Sequence, residues 1–129
     1  MRDLLKDKQT SVAVVGATDS PGKYGGIIYR FLKKKGYVVW AVNPNTETVD
    51  GDPAQPHLED LPSQPDIIDF VVPADVGKVV AEEVIELGWD NVWLQPGAES
   101  PDLIDVLRET GISTIHDDCI MVQVNQIPG

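Results

Sequence analysis

The chain has 129 residues, 42% of them hydrophobic, with one cysteine and a formal net charge of −11. That length suits one domain whose core needs no staple, and a lone cysteine excludes an internal disulfide and fits a reducing, cytosolic setting. So acidic a chain is ill suited to nucleic acid or an anionic membrane, and neither a signal peptide nor a membrane-spanning run is legible in it.

The charge is uneven. Eight of the ten basic residues fall in the first 40 positions, against only Asp3, Asp7 and Asp19, a net of +5 there. Residues 1–10 read as a short helical or irregular lead-in that packs Leu4 and Leu5 on a sheet. Ser11–Val15 is an unbroken apolar strand, Gly16 permits a sharp exit, and residues 17–22 bring unpaired amides to the start of a helix, where an anion is expected. In that helix Tyr24, Ile27, Ile28, Phe31 and Leu32 recur at helical spacing and predict its buried face; Gly36 stops it. Lys33, Lys34 and Lys35 read as complements to the helix C-terminus, with Lys23 the cation best placed to meet a small polyanion. Residues 37–42 predict a second strand covered on both faces.

Residues 43–65 hold five prolines and the Asp50-Gly51 turn signal. One short helical turn near residues 58–61 fits there, in a connection read as both functional and a distorted crossover. Residues 67–72 predict a third strand, placed at the sheet edge because Asp69 needs water. Val76, Val79, Val80, Val84 and Leu87 form the apolar stripe of a helix over residues 74–87, which Gly88 closes. A fourth strand covers residues 91–95 and turns at Pro96-Gly97. Ser100 caps the next helix, with Pro101 at its first position and Leu103, Ile104 and Leu107 inward. Residues 112–115 predict a fifth strand, followed by His116, Asp117, Asp118 and Cys119 and a polar tail over residues 122–129. The alternation predicts an α/β fold: one Rossmann-like, doubly wound domain over residues 1–129, with a five-stranded parallel sheet in the order 3-2-1-4-5.

In such a fold the carboxyl ends of the strands converge, which gathers residues 17–23, 43–45, 73–74, 95–97 and 116–118 as a candidate site. A nicotinamide-type loop is disfavoured, because Thr18 replaces the second glycine and Asn43 stands where the second strand would end in an acid. A Walker A loop is excluded by Gly16, one residue too far from Gly22-Lys23, and by Tyr24 in place of a hydroxyl that binds magnesium. His57 and His116 have no ligand spacing to each other or to Cys119, so no metal is expected. Cys119 lacks an elbow and a third group and reads as buried packing. Trp40, Trp89 and Trp93 read as core, His57 as solvated, and Gly25 and Gly26 serve close packing as readily as a ligand. Asp19, repelled by a phosphate, reads as a backbone cap of the turn or helix.

Taken in order, VAVVGATDSPGKYG, VNPN, LEDLP, DFVVP, VWLQPG and DDCIM cover residues 12–121. This set resembles the small stand-alone CoA-binding proteins of bacteria, which are similar to the nucleotide-binding N-terminal domain of the succinyl-CoA synthetase alpha subunit. The resemblance implies coenzyme A or a short acyl-CoA as ligand. It places the phosphates on Gly16, Ala17, Thr18, Asp19, Ser20, Gly22 and Lys23. It sets the nucleotide between Val42, Asn43 and Pro44 and Val71, Val72 and Pro73, and runs the pantetheine arm past Gln95, Pro96 and Gly97. The synthetases work through a phosphorylated histidine in a following domain, which these 129 residues do not contain. The expectation is therefore a cytoplasmic, non-catalytic CoA-binding module without nucleic-acid or membrane partners, with a possible protein partner that performs acyl-CoA chemistry. Two alternatives stand beside it: an NAD(P)-binding oxidoreductase or sensor domain, and an accessory subunit lending its CoA site to an acyl-CoA synthetase or transferase.

Overall fold

The computed structural model describes residues 1–128. A 3₁₀ turn at Arg2–Lys6 leads into β1 (Ser11–Val15), α1 (Tyr24–Lys34) and β2 (Val38–Val42). A hairpin of β3 (Thr48–Val49) and β4 (Asp52–Gln55) follows, then a second 3₁₀ turn at Leu58–Asp60. The chain continues through β5 (Ile67–Phe70), α2 (Ala74–Leu87), β6 (Val92–Leu94), α3 (Pro101–Glu109), β7 (Thr114–Ile115) and α4 (Ile120–Asn125).

The sheet corrects the expected five parallel strands in the order 3-2-1-4-5. It has seven strands in the order β3-β4-β2-β1-β5-β6-β7, and the β3–β4 pair is antiparallel while the rest is parallel. The unforeseen strands lie in the proline-rich connection. β4 reads Asp-Pro-Ala-Gln, without apolar alternation, and only Ala54 and Gln55 pair with β2. Pro53 is tolerated because it faces the two-residue β3 rather than the sheet interior. The Asp50-Gly51 turn, both residues at positive φ, closes the hairpin.

This addition moves β5 inward, between β1 and β6. Asp69 is therefore not an edge residue: it lies between Val14 and Trp93 in register and is fully buried. It shares the face of Val12, Val14, Ile67 and Trp93, which packs under α1, α4 and the N-terminal turn with Leu5, Ile28, Leu32, Ile120 and Val124. The opposite face, with Ala13, Val15, Ile68, Phe70, Val92 and Leu94, packs under α2 and α3 through Ala81, Val84, Leu103 and Leu107.

Other expectations shift with burial. The core-facing side of α1 is Gly25, Gly26, Ile28, Tyr29 and Leu32, whereas Tyr24 stands 66% exposed. Helical spacing marked the apolar residues, but the two glycines bring the helix so close to the β1 loop that they define its inner side. β2 is not covered on both faces, because the hairpin takes the place of a crossover helix; Val38 is exposed and Trp40 only half-buried. The expected polar tail begins inside α4, whose Ile120 and Val124 close one end of the core. Ser100 caps α3 as expected, its Oγ accepting from the Leu103 amide at 3.1 Å.

Candidate nucleotide-binding site

The turn after β1 is held by backbone and by its own short side chains. Gly16 has φ +95°, and a Cβ there would run into the Val71 carbonyl and the Val72 side chain. Its amide donates to the Val42 carbonyl at 2.9 Å, and the Val71 amide donates to the Val15 carbonyl at 2.9 Å, so three strand ends are tied at this residue. Thr18 Oγ1 accepts from the Ser20 amide at 3.2 Å, rounding the turn. A Cβ on Gly25 would collide with the Gly16 carbonyl, and one on Gly26 with that of Thr18. The two glycines thus press the first turn of α1 against the loop.

That first turn is open. Lys23 occupies the N-cap with extended backbone, no side chain caps the helix, and its first amides are the ones an α-helix leaves without internal acceptors. Among the described residues Lys23 has no ion-pair partner. Other cations of the basic segment are already engaged: Lys33 Nζ lies 2.9 Å from Asp52 and 3.1 Å from Asp50, and Arg30 lies 3.8 Å from Asp19. The Lys33 run thus ties α1 to the hairpin rather than only complementing a helix end. Its carboxylate hydrogen bonds, that to Asp52 first, raise the Lys33 pKa. Asp52 is held below the usual carboxylate range, first by the Tyr29 hydroxyl donating at 2.7 Å and then by Lys33. Asp19 caps neither its own turn nor the helix; its Oδ1 accepts from the Asp50 amide at 2.9 Å, fastening the loop to the hairpin.

Beside this turn an apolar groove of about 370 Å³ opens on the α2 side of the sheet. Gly16, Val42, Asn43, Pro44, Val71, Val72 and Pro73 all line it, so the predicted second and third strand ends do converge. Asn43 is fixed, its Nδ2 donating to the Ala17 carbonyl at 3.0 Å and its Oδ1 accepting from the Asn45 amide at 2.9 Å. The far wall was not foreseen: Val76, Val79 and Val80 of α2, with Pro56, His57 and Glu83. Val79, read as core, stands 60% exposed because half of the helix stripe faces the groove. An apolar stripe wider than the sheet can cover was the available signal. His57 is not simply solvated, since its Nδ1 lies 3.2 Å from Glu83 Oε1.

A second cavity, about 220 Å³, lies across the strand ends on the α1 side, lined by Tyr24, Ile28, Val71, Gln95, Pro96 and Cys119. Val71 borders both spaces. Gln95 is buried and engaged: its Oε1 accepts from the Ile120 amide at 3.0 Å and its Nε2 donates to Cys119 Sγ at 3.3 Å. Cys119 is half-buried and lines the cavity rather than packing in the core. Gly97 borders neither space, and its amide is taken by Glu99 at 2.9 Å. Ala17, Thr18, Asp19, Ser20, Gly22 and Lys23 line neither hollow but form the turn at the groove's mouth after Gly16. Among the described residues no three His, Cys, Asp or Glu side chains are grouped to hold a metal, and no helix is long and apolar enough to cross a membrane.

A glycine turn, a helix start and a groove meeting at the carboxyl ends beside the first strand make this a Rossmann-like nucleotide-binding domain. Within that class the chain belongs to the CoA binding domain family, whose profile matches residues 10–125, and its ligand is coenzyme A or an acyl-CoA. It is 29% identical over 122 residues to the uncharacterized protein YneT of Bacillus subtilis, covering 95% of this chain and 90% of that one. The structure of a conserved hypothetical protein from Pyrococcus furiosus superposes with a TM-score of 0.84 at 40% identity, over 89% of this chain and 98% of the other. The alpha subunit of an ADP-forming acetate–CoA ligase II from Pyrococcus furiosus is 26% identical over 120 residues, covering 84% of this chain but 26% of the subunit. The relationship therefore reaches the ADP-forming acetate–CoA ligases and is not particular to the bacterial succinyl-CoA synthetase alpha subunit.

Proposed function

We propose that this chain supplies a CoA site to acyl-CoA chemistry performed by a separate chain, without catalysis of its own. The observation that carries this reading is the match to the ligase alpha subunit, in which a domain like this one makes up about a quarter of a larger protein. Within the site, the diphosphate rests on the residue 16–23 turn, where the uncapped α1 amides and Lys23 meet its charge. The nucleoside lies in the groove along Val42–Pro44 and Val71–Pro73. The pantetheine arm crosses Val71 toward Gln95 and Pro96, so that one extended ligand spans both hollows. Asp19 and Gly22 shape the turn rather than touch the ligand.

Tagged protein purified from its native cell is expected to bring down a ligase- or transferase-type chain in a CoA-dependent manner. A homogeneous monomer or homodimer that retains CoA binding and captures no such chain would overturn the accessory role while leaving the binding site in place. The placement of the diphosphate is tested separately: Lys23→Ala should weaken CoA about tenfold, the value of one charge-assisted contact. Unchanged affinity would move the diphosphate elsewhere.

A further inference from the structure

The groove has a direction. Gly16 borders it beside the strand ends; Val76, Val79 and Val80 run along it; His57 and Glu83 border it farther along α2. α2 follows β5 and runs back from the strand ends, and the ten residues from Ala74 to Glu83 span about 15 Å at the helical rise. A nucleoside whose phosphates sit at the residue 16–23 turn therefore turns its base toward His57 and Glu83. Apolar side chains hold a base by its faces and tell one purine from another poorly. The polar groups at the end can do so.

Glu83 is held there by two contacts. Its Oε2 accepts from the Leu58 amide at 3.1 Å, and its Oε1 faces His57 Nδ1 at 3.2 Å. An ionised carboxylate only accepts, so the proton of this pair lies on Nδ1, and in the neutral ring Nε2 is left as an acceptor. Each carboxylate oxygen keeps a further lone pair. The Glu83 carboxylate thus keeps acceptor capacity and takes a donor, while Asn43, the amide nearest the strand ends, is spent on Ala17 and Asn45. An exocyclic amino group on a purine supplies that donor; a 6-oxo group would set oxygen against oxygen.

We propose that Glu83, positioned by His57 and the Leu58 amide, is the residue that selects a 6-amino purine over a 6-oxo purine in this groove. The inference rests on the reading of the groove as the nucleoside site and goes beyond it. It is tested by calorimetric titration with CoA and with its deaminated analogue, in which hypoxanthine replaces adenine, so that the 6-amino donor becomes an acceptor oxygen and N1 gains a proton. The wild type should prefer CoA by about tenfold or more, the range of a hydrogen bond to a charged group. Glu83→Gln keeps an oxygen for the Leu58 amide and gains a donor, so the preference should shrink to about threefold or less. Equal wild-type affinities overturn the inference and leave the CoA site standing. So does a preference that Glu83→Gln leaves intact, because the base is then read elsewhere. Binding of neither ligand overturns both readings. If Glu83→Gln does not fold, Glu83→Asp, which withdraws the carboxylate by one methylene, is expected to narrow the same ratio, and an unchanged ratio overturns the inference.

Discussion

Asp69 sits between Val14 and Trp93 with both carboxylate oxygens buried and without a partner. Burial pushes its pKa well above the ordinary carboxylate value, so the folded chain holds it neutral over a range where the unfolded chain ionises it. Its contribution is fully present below the unfolded pKa and is lost as pH rises toward the folded one. Asp69→Asn should therefore raise the melting temperature at pH 8 and do so less at pH 4; an equal effect at both would contradict this. Tyr29 makes a smaller, local case. Burial first, and then the bond to Asp52, drives its pKa far upward, so the phenol stays a donor at any ordinary pH. Tyr29→Phe should cost about 1 kcal/mol in denaturant unfolding, one part-buried hydrogen bond. At this scale the sequence misled where the partner was remote. A carboxylate in an apolar run reads as solvated, and nothing near Asp69 in the chain reports that the hairpin of β3 and β4 has taken the edge.

At the scale of elements, α1 and its turn set the site. Alanine normally stabilises a helix relative to glycine by about 0.5–1 kcal/mol. At Gly25 the sign reverses, because the added Cβ meets the carbonyl of Gly16, a residue whose amide is fixed to β2. Gly25→Ala should cost about 1–3 kcal/mol, as overpacking does, and should weaken CoA by displacing the turn. A stabilised variant with native affinity would show that the loop yields freely. Helix boundaries and the Ser100 cap were legible because periodicity, glycine stops and capping residues are local signals. β3 and β4 were not, since two- and four-residue strands with a proline and no alternation owe their existence to β2 and to the Asp50-Gly51 turn. The glycine turn after β1 and the strand-end residues that line the groove could be read ahead of the structure; the α2 wall was signalled only by a stripe wider than a sheet can cover, because its valines carry the same spacing whether they face a core or a groove.

For the whole molecule, the surplus of basic residues in the first third is smaller in space than in sequence. Arg2, Lys6, Arg30 and Lys33 each lie beside an aspartate, whereas Lys23, in the turn after Gly16, has no ion-pair partner among the described residues. In a chain of net charge −11, attraction of a polyanion is then local. CoA affinity should fall as salt rises from about 0.05 to 0.5 M, as the screening length shortens, and Lys23→Ala should flatten that dependence; equal slopes would deny Lys23 its role. Turn and groove together form a CoA site rather than a nicotinamide site. The most direct measurement is a thermal-shift comparison of the protein with CoA, acetyl-CoA, NAD and NADP at matched concentrations. A ligand at 100 times its Kd adds about 2.7 kcal/mol, and each kcal/mol moves the midpoint of such a domain by roughly 3–5 °C. A shift is expected with CoA and acetyl-CoA and none of that size with NAD or NADP; a larger shift with a nicotinamide cofactor would mean that the groove takes a dinucleotide instead.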